Sequence, residues 1–379
     1  MKTLVLGGGV VGVTTAYFLA RAGHEVTVVE EKDALGLEAT GGNAGIIAPG
    51  HSFAWASPRA PRMLWQSLRG AETAIRVRLT PDLRLYTWGL RFLRECTAER
   101  ARRNTLDQAA ALPVQPGDPE RAGPSRGHRV SRDQRRARSI SIAIRPSWRR
   151  GSKKMALLAE RGQKQEILDA RAVARLDPVF EPVQHKIAGA IRDVGDSSGD
   201  SRLFVENLAR VCRDKLGVIV RLGTRVTALR ADGDRIDGVL TSDGVMTADS
   251  YVLALGVGAP RVAQTAGVGL PIYPAKGYSS TLPAEAGRIG ADGRRASTSS
   301  GSSAGRGSAT GCVSRRRRSS PATTGAGRRA TSTTSCGSPA ISSPTPPTTT
   351  ADEYRACLQA DDARRTAHPR ASAATATSS

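Results

Sequence analysis

Leu4-Val5-Leu6 runs without a break into Gly7-Gly8-Gly9-Val10-Val11-Gly12, and no other stretch of this chain restricts its fold as tightly. A helix pattern follows from Val13 to Ala22. A second apolar run, Val26 to Val29, ends on Glu30, eighteen residues past Gly12. Strand, Gly-x-Gly-x-x-Gly turn, helix, strand and terminal acid in this order make a dinucleotide-binding unit. A tight turn in some other α/β unit would need neither the second strand nor the acid in register.

Each residue of the loop has its own task. Gly7 makes the strand-to-helix turn, Gly9 lets backbone approach a pyrophosphate, and Gly12 lets the helix pack on the strand. Leu6, Gly8, Val10 and Val11 complete a loop whose amides and positive helix end face the phosphates. Glu30 stands where a carboxylate accepts from both ribose hydroxyls. It would repel a 2′-phosphate, which speaks against NADP. Gly23 fits the position just past the helix end.

At 379 residues the chain is long enough for two domains with a sizeable core. It has no window of about twenty apolar residues, so no transmembrane helix is expected. The N-terminus reads as a strand and not as a signal peptide. Cys96, Cys212, Cys312, Cys336 and Cys357 are scattered, odd in number and free of any Cys-x-x-Cys pair. That usage points to a reducing compartment and no metal site. A cytoplasmic location is expected, with peripheral association to the inner membrane left open.

The formal net charge is +22, which ordinarily signals nucleic acid or an anionic membrane. Its location decides against nucleic acid as the default. Residues 107–152 hold ten arginines and four acids, and residues 287–379 hold fourteen arginines and five acids. Arg315 to Arg318 could serve as a nucleic-acid patch, but no aromatic residues are interleaved with these tracts, and no nucleic-acid partner is expected.

Those same two stretches do not read as folded protein. Periodicity stops near Asp107, and Pro113 to Arg150 is rich in Arg, Pro, Ser and Gly. Order returns at about Lys153 and persists to about Ala286. Between Gly287 and Thr350 the only large aliphatic residues are Ile289, Val313 and Ile341. Such a segment buries too little apolar area to offset backbone ordering, about 1–2 kcal/mol per residue. The abrupt edges and the Arg/Ser/Pro/Ala/Gly/Thr bias match a GC-rich gene read out of frame. Native disordered inserts are the alternative.

The ordered middle reads as short strands: Gly217 to Leu222, Arg225 to Leu229, Ile236 to Leu240 and Met246 to Gly256. Asp232-Gly233 and Asp243-Gly244 supply hairpin turns, giving a meander. Tyr251 to Leu255 is apolar throughout, as a buried parallel strand would be. Leu83 to Leu93 reads as an amphipathic helix.

Four further stretches stand beside the glycine loop: Asn43 to Pro58 (NAGIIAPGHSFAWASP), Asp193 to Asp200 (DVGDSSGD), Tyr251 to Gly256 (YVLALG) and Pro271 to Ser279 (PIYPAKGYS). Together they resemble the FAD-dependent D-amino-acid oxidase-like family, and within it the small subunit of the bacterial D-amino-acid dehydrogenases. The resemblance covers about 1–106 and 153–286. It implies an α/β fold with a Rossmann-like FAD-binding domain and a mixed-sheet α+β substrate domain, disrupted by low-complexity segments. The expected division is 1–50 FAD domain, 51–106 substrate domain, 107–152 anomalous, 153–270 strands of both domains interleaved, 271–286 substrate domain and 287–379 anomalous.

The resemblance further implies FAD as cofactor, with Gly7, Gly9 and Gly12 on its pyrophosphate and Glu30 on the adenosine ribose. Asn43, Ala44 and Gly45 would lie near the flavin and pyrophosphate. Val226 would hold the adenine through its backbone, and Gly256 would let a strand end approach the cofactor. The implied reaction oxidises D-amino acids to imines, which hydrolyse to 2-oxo acids and ammonia, with electrons passing to a quinone or respiratory acceptor. An inactive relic keeping only the dinucleotide half, or a glycine or sarcosine oxidase-type enzyme, are the alternatives. The family's carboxylate-binding arginine lies in a Leu-Arg-Pro motif, whereas Leu358 here is followed by Gln359-Ala360. The expected cation is therefore absent, and Arg355 occupies a different position.

His51, Tyr273 and Tyr278 are the candidates for the substrate side. Asp193, Asp196 and Asp200 resemble a metal loop only loosely. They lack the order and terminal Glu of a calcium hand, and read as a polar turn. Trp55, Trp65 and Trp88 read as packing residues.

Overall fold

The computed structural model describes residues 1–42, 46–47, 53–69, 77, 79–110, 140–143, 155, 157–160, 162, 164–176, 178–193, 197–198, 200–283, 296–299, 311–314, 329–334 and 353–362. Its centre is a four-stranded parallel sheet in the order Ser250–Leu253, Lys2–Leu6, Glu25–Val29, Ile219–Arg221. Leu4 lies opposite both Thr27 and Tyr251. Thr3, Leu4, Val5 and Leu6 are all buried, so both faces of this sheet are covered, as parallel strands require.

The two covers differ. Val5, Val26 and Val28 face the helices Val10–Arg21 and Ser201–Leu216, meeting Val13, Ala16 and Tyr17 from one and Val205, Leu208 and Cys212 from the other. Leu4, Leu6 and Val29 face the opposite way, against Val226, Val239 and Val262. Each fully buried Val or Leu contributes about 1.5–3 kcal/mol to this arrangement. The period-two alternation of the first strand thus welds two layers to one sheet.

The second cover is an antiparallel meander of Val226–Asp232, Arg235–Thr241 and Gly244–Met246, followed by the helix Ala259–Gln264. Gly233 (φ 57°) and Gly244 (φ 115°) supply the left-handed turn residues that the Asp-Gly pairs predict. One expectation is corrected. Ile219–Arg221 does not belong to the meander; it runs parallel to Glu25–Val29, with Val220 opposite Val28. The preceding helix lies on the sheet and ends at Gly217 (φ 67°), so the chain re-enters the same sheet by a crossover.

The first helix begins at Val10 and not at Val13, because Gly9 is its N-cap and Gly12 fits inside the first turn. The amphipathic reading of Leu83 to Leu93 matches the helix Leu83–Glu95. Trp88 and Phe92 stack at 5.1 Å and pack with Ala56, Ala60, Leu64 and Cys96. The next helix, Ala98–Ala110, passes beyond residue 106, where the apolar periodicity stops. Ala109 is fully buried and Asn104 donates to Glu95 at 3.1 Å, so one small and one polar contact fix a turn that no apolar stripe announces.

An eight-stranded sheet runs in the order Glu353–Asp362, Ile272–Pro283, Arg329–Thr334, Gly311–Ser314, Ala296–Ser299, Ile140–Ala143, Gly189–Asp193, Gln165–Leu168. Five of its strands come from the stretches read above as lacking order. They join by backbone pairing, with Thr, Ile and Val supplying strand propensity in place of an apolar stripe. The rest of 107–152 and 287–379 lies outside the described residues, and with it the out-of-frame reading.

Candidate functional site

The glycine loop sits at the carboxyl ends of the parallel strands, where open α/β sheets take ligands. Gly7 has φ 115°, and a Cβ there would lie 2.5 Å from the carbonyl oxygen of Ala254. A Cβ on Gly8 would collide with Leu35 and approach Glu30 Oε2 to 2.9 Å. One on Gly12 would collide with the Gly7 carbonyl oxygen. Packing of the protein against itself therefore accounts for three of the four glycines. It accounts less well for Gly9, where among the described residues a Cβ would meet only Thr40 Oγ1, at 3.3 Å. The space beside Gly9 is a cradle that a side chain would fill, as the approach of a pyrophosphate requires.

Behind that cradle is the start of a helix. The first-turn amides of Val10, Val11 and Gly12 have no carbonyl one turn behind them. Val13 N–H donates to the Gly9 carbonyl at 3.0 Å, and Val10 N–H donates to Thr40 Oγ1 at 3.0 Å. The buried Thr40 also accepts Ser201 Oγ–H through its carbonyl at 2.7 Å, tying the loop to the next helix on that face. Sequence reading missed Thr40. It lies thirty residues from Val10, and no motif marks it.

Glu30 closes the loop from the second strand. Its Oε2 accepts from Gly8 N–H at 2.7 Å and its Oε1 from Lys32 N–H at 2.9 Å. Its backbone is fixed on both sides, donating to Arg221 O at 2.8 Å and accepting from Thr224 N–H at 2.9 Å. Arg225 pairs with Glu31 at 2.9 Å, and Lys32 pairs with Glu38 at 3.2 Å. The hydrogen bond and charge of Glu38 hold the Lys32 ammonium above its usual range.

Val226 begins the meander strand two residues past Thr224, opposite Thr241, with its side chain in the core below Leu6. Ala254 N–H donates to Leu6 O at 2.8 Å, and Gly256 (φ 54°) follows, turning the strand end into a short helical turn. The structure thus brings Leu6, Gly7, Gly8, Gly9, Val10, Val11, Gly12, Glu30, Val226 and Gly256 to one edge of the sheet. Asn43, Ala44 and Gly45 lie outside the described residues, as does His51.

Tyr273 is half-buried. Its hydroxyl reaches Asp82 Oδ2 at 3.5 Å and its ring lies 5.9 Å from Trp88. Asp82 caps the helix Leu83–Glu95 by accepting from Arg84 N–H at 3.0 Å, and the Arg84 side chain and amide hold its carboxyl below the usual range. Tyr278 lies in the strand opposite Ala356, and Gln359 lies opposite Ala275. Asp200 caps the helix Ser201–Leu216, accepting from Leu203 N–H at 2.9 Å, in keeping with a polar turn. Cys96 and Cys212 are buried thiols. Burial pushes Cys212 up to about 11. Trp88 packs as expected, but Trp55 and Trp65 are exposed; in the helix Ala60–Leu68, Ala60 and Leu64 face the small core and Trp65 does not.

The family model for FAD dependent oxidoreductases matches residues 2–304 of the chain. The chain is 39% identical over 287 residues to D-amino acid dehydrogenase 2 of Mesorhizobium japonicum, covering 75% of this chain and 68% of that one. It is 38% identical over 297 residues to D-amino acid dehydrogenase of Methylobacterium radiotolerans, covering 75% and 67%. Among solved structures, glycine oxidase from Geobacillus kaustophilus superposes with a TM-score of 0.59 at 16% identity, over 95% of this chain and 82% of that one. That last likeness speaks to the fold alone.

Proposed function

The chain belongs to the FAD dependent oxidoreductase family, and from that premise we propose that it oxidises D-amino acids to 2-oxo acids and ammonia, with a quinone or other respiratory acceptor. The observation that carries the cofactor half is the glycine loop at a helix start, where among the described residues a Cβ on Gly9 would meet Thr40 Oγ1 and no backbone. The substrate half is supported by the relatives, which bear the name D-amino acid dehydrogenase.

FAD held there would accept the hydride leaving the substrate Cα. The chain's own residues position it. Gly9, Val10 and the amides of Val11 and Gly12 would meet the pyrophosphate, and Glu30 would accept from ribose hydroxyls. By the family resemblance Asn43, Ala44 and Gly45 would lie near the flavin and pyrophosphate, Val226 would hold the adenine through its backbone, and Gly256 would clear room at the strand end. His51, Tyr273 and Tyr278 are the candidates for meeting the substrate. Tyr273 is steadied by Asp82 and Trp88.

A second reading rests on Gln359, which stands where the family carries its carboxylate-binding arginine. A neutral amide there weakens the substrate clamp, so cofactor binding persists while turnover falls. A substrate panel decides between these. Ammonia release from D-amino acids with a dye acceptor supports the proposal. Release from glycine or sarcosine with oxygen consumption supports the oxidase-type alternative, and no release from either, with FAD bound, supports the relic.

A further inference from the structure

Tyr273 and Tyr278 stand five residues apart in the strand Ile272–Pro283, so they occupy opposite faces of the sheet. The strand pairing decides between them. Gln359 lies opposite Ala275, and Asp361 lies opposite Tyr273. Directly opposed residues share a face. The position where the family carries its carboxylate-binding arginine therefore shares the face of Tyr273 and not that of Tyr278. Tyr273 and Gln359 are diagonal neighbours there, about 7–8 Å apart by ordinary sheet geometry. A 2-amino acid fits between two such positions, its carboxylate toward one and its nitrogen toward the other. Both strands pack beside the turn Gly256–Gly258, which follows the strand Ser250–Leu253 at the cofactor edge of the parallel sheet.

The direction of one hydrogen bond then sets what Tyr273 can recognise. Its hydroxyl donates toward Asp82 Oδ2 at 3.5 Å. An ionised carboxylate only accepts, so the single phenolic proton is taken there. Arg84 keeps that carboxylate in place and ionised. Its amide donates to Oδ1 at 3.0 Å, and its guanidinium lies 3.2 Å from Oδ1 and 3.4 Å from Oδ2. These bonds hold Asp82 below the usual carboxylate range. Asp82 is also the N-cap of Leu83–Glu95, and Trp88 of the same helix sets its ring 5.9 Å from that of Tyr273. Only lone pairs are left on the phenol oxygen. Such an oxygen accepts from a substrate N–H and has no proton to offer a carboxylate. The contact with Asp82 is long for a hydroxyl donor. A donor seated on the phenol oxygen would strengthen it, since hydrogen bonds in a chain polarise one another.

We infer that Asp82 is a positioning residue: it holds the Tyr273 proton, so that Tyr273 accepts from the substrate's nitrogen and leaves the carboxylate to the neighbouring position. This rests on the proposed oxidation of D-amino acids. The test uses the full chain reconstituted with FAD. It compares the KM of D-alanine, with a dye acceptor, against the inhibition constant of propionate, which has the carboxylate and no nitrogen. Tyr273→Phe should raise the KM of D-alanine about tenfold and leave propionate unchanged, because a hydrogen bond to a charged group is lost. Asp82→Asn keeps a good helix cap, but its amide donates to the phenol and turns the phenolic proton toward the substrate. D-Alanine should weaken by a similar factor while propionate binds no worse. Asp82→Ser also caps the helix but is too short to reach Tyr273. It should raise the KM in the same way while melting near the wild-type temperature. Parallel losses of D-alanine and propionate in any of these variants overturn the inference. So does a wild-type KM in Tyr273→Phe, or in both Asp82 variants. Wild-type enzyme that oxidises no D-amino acid overturns the proposed function, and the inference with it, whereas the other outcomes overturn the inference alone.

Discussion

Glu30 Oε2 accepts the amide hydrogen of Gly8 at 2.7 Å, so the end of the second strand holds the loop that the first strand feeds. The same carboxylate is the proposed ribose ligand. Glu30→Ala should therefore both loosen the loop and weaken FAD. Charge-assisted hydrogen bonds contribute about 1.5–3 kcal/mol each, so losing one corresponds to about tenfold to a hundredfold in Kd by calorimetry. Glu30→Gln should fall between the two. Equal affinity in all three proteins would remove Glu30 from the site.

The glycines separate folding from binding. Gly12→Ala puts a Cβ into the Gly7 carbonyl oxygen, so the variant should be destabilised by about 2–4 kcal/mol or fail to fold. Gly9→Ala is milder, since among the described residues its Cβ would meet Thr40 Oγ1 at 3.3 Å, and Thr40 need give by only a few tenths of an ångström. Without FAD it should melt well above Gly12→Ala, and it should lose the stabilisation that FAD gives. A Gly9→Ala protein that binds FAD normally would show the cradle to be something else.

Thr40→Val deletes the acceptor of the Val10 amide at 3.0 Å while keeping the shape. Apo stability should fall by about 1–2 kcal/mol, the usual cost of a lost cap. Thr40→Ser should restore most of it. A denaturant midpoint unchanged in Thr40→Val would show that water replaces the hydroxyl.

Cys212 gives a pH signature. Burial raises its folded value to about 11, above the ordinary thiol value of about 8.5. The thiol stays protonated in the folded state while the unfolded chain loses its proton. This contribution is thus fully present below about 8.5 and is lost as pH rises toward about 11. Thermal stability should fall across that window, and Cys212→Val should flatten the slope. A slope identical in the variant would assign it to other groups.

Legibility followed sequence distance. Gly7 to Gly12 and Glu30 were readable because one βαβ unit carries both within thirty residues, and each has a residue type that its geometry demands. The meander was readable from Asp232-Gly233 and Asp243-Gly244, whose left-handed turns admit few residues. Thr40 and Ala254 were not, because they reach the loop from distant segments and their residue types suit many places. Ile219–Arg221 was misgrouped because three residues carry no direction of pairing.

The account is tested most directly by an anaerobic titration of the full chain reconstituted with FAD. It predicts a flavin absorption spectrum that bleaches with members of a D-amino acid panel, stays unchanged with their L-enantiomers, and returns when an electron-accepting dye is added. Protein that remains colourless after reconstitution, or a bound flavin that bleaches with L- but not D-amino acids, would contradict it.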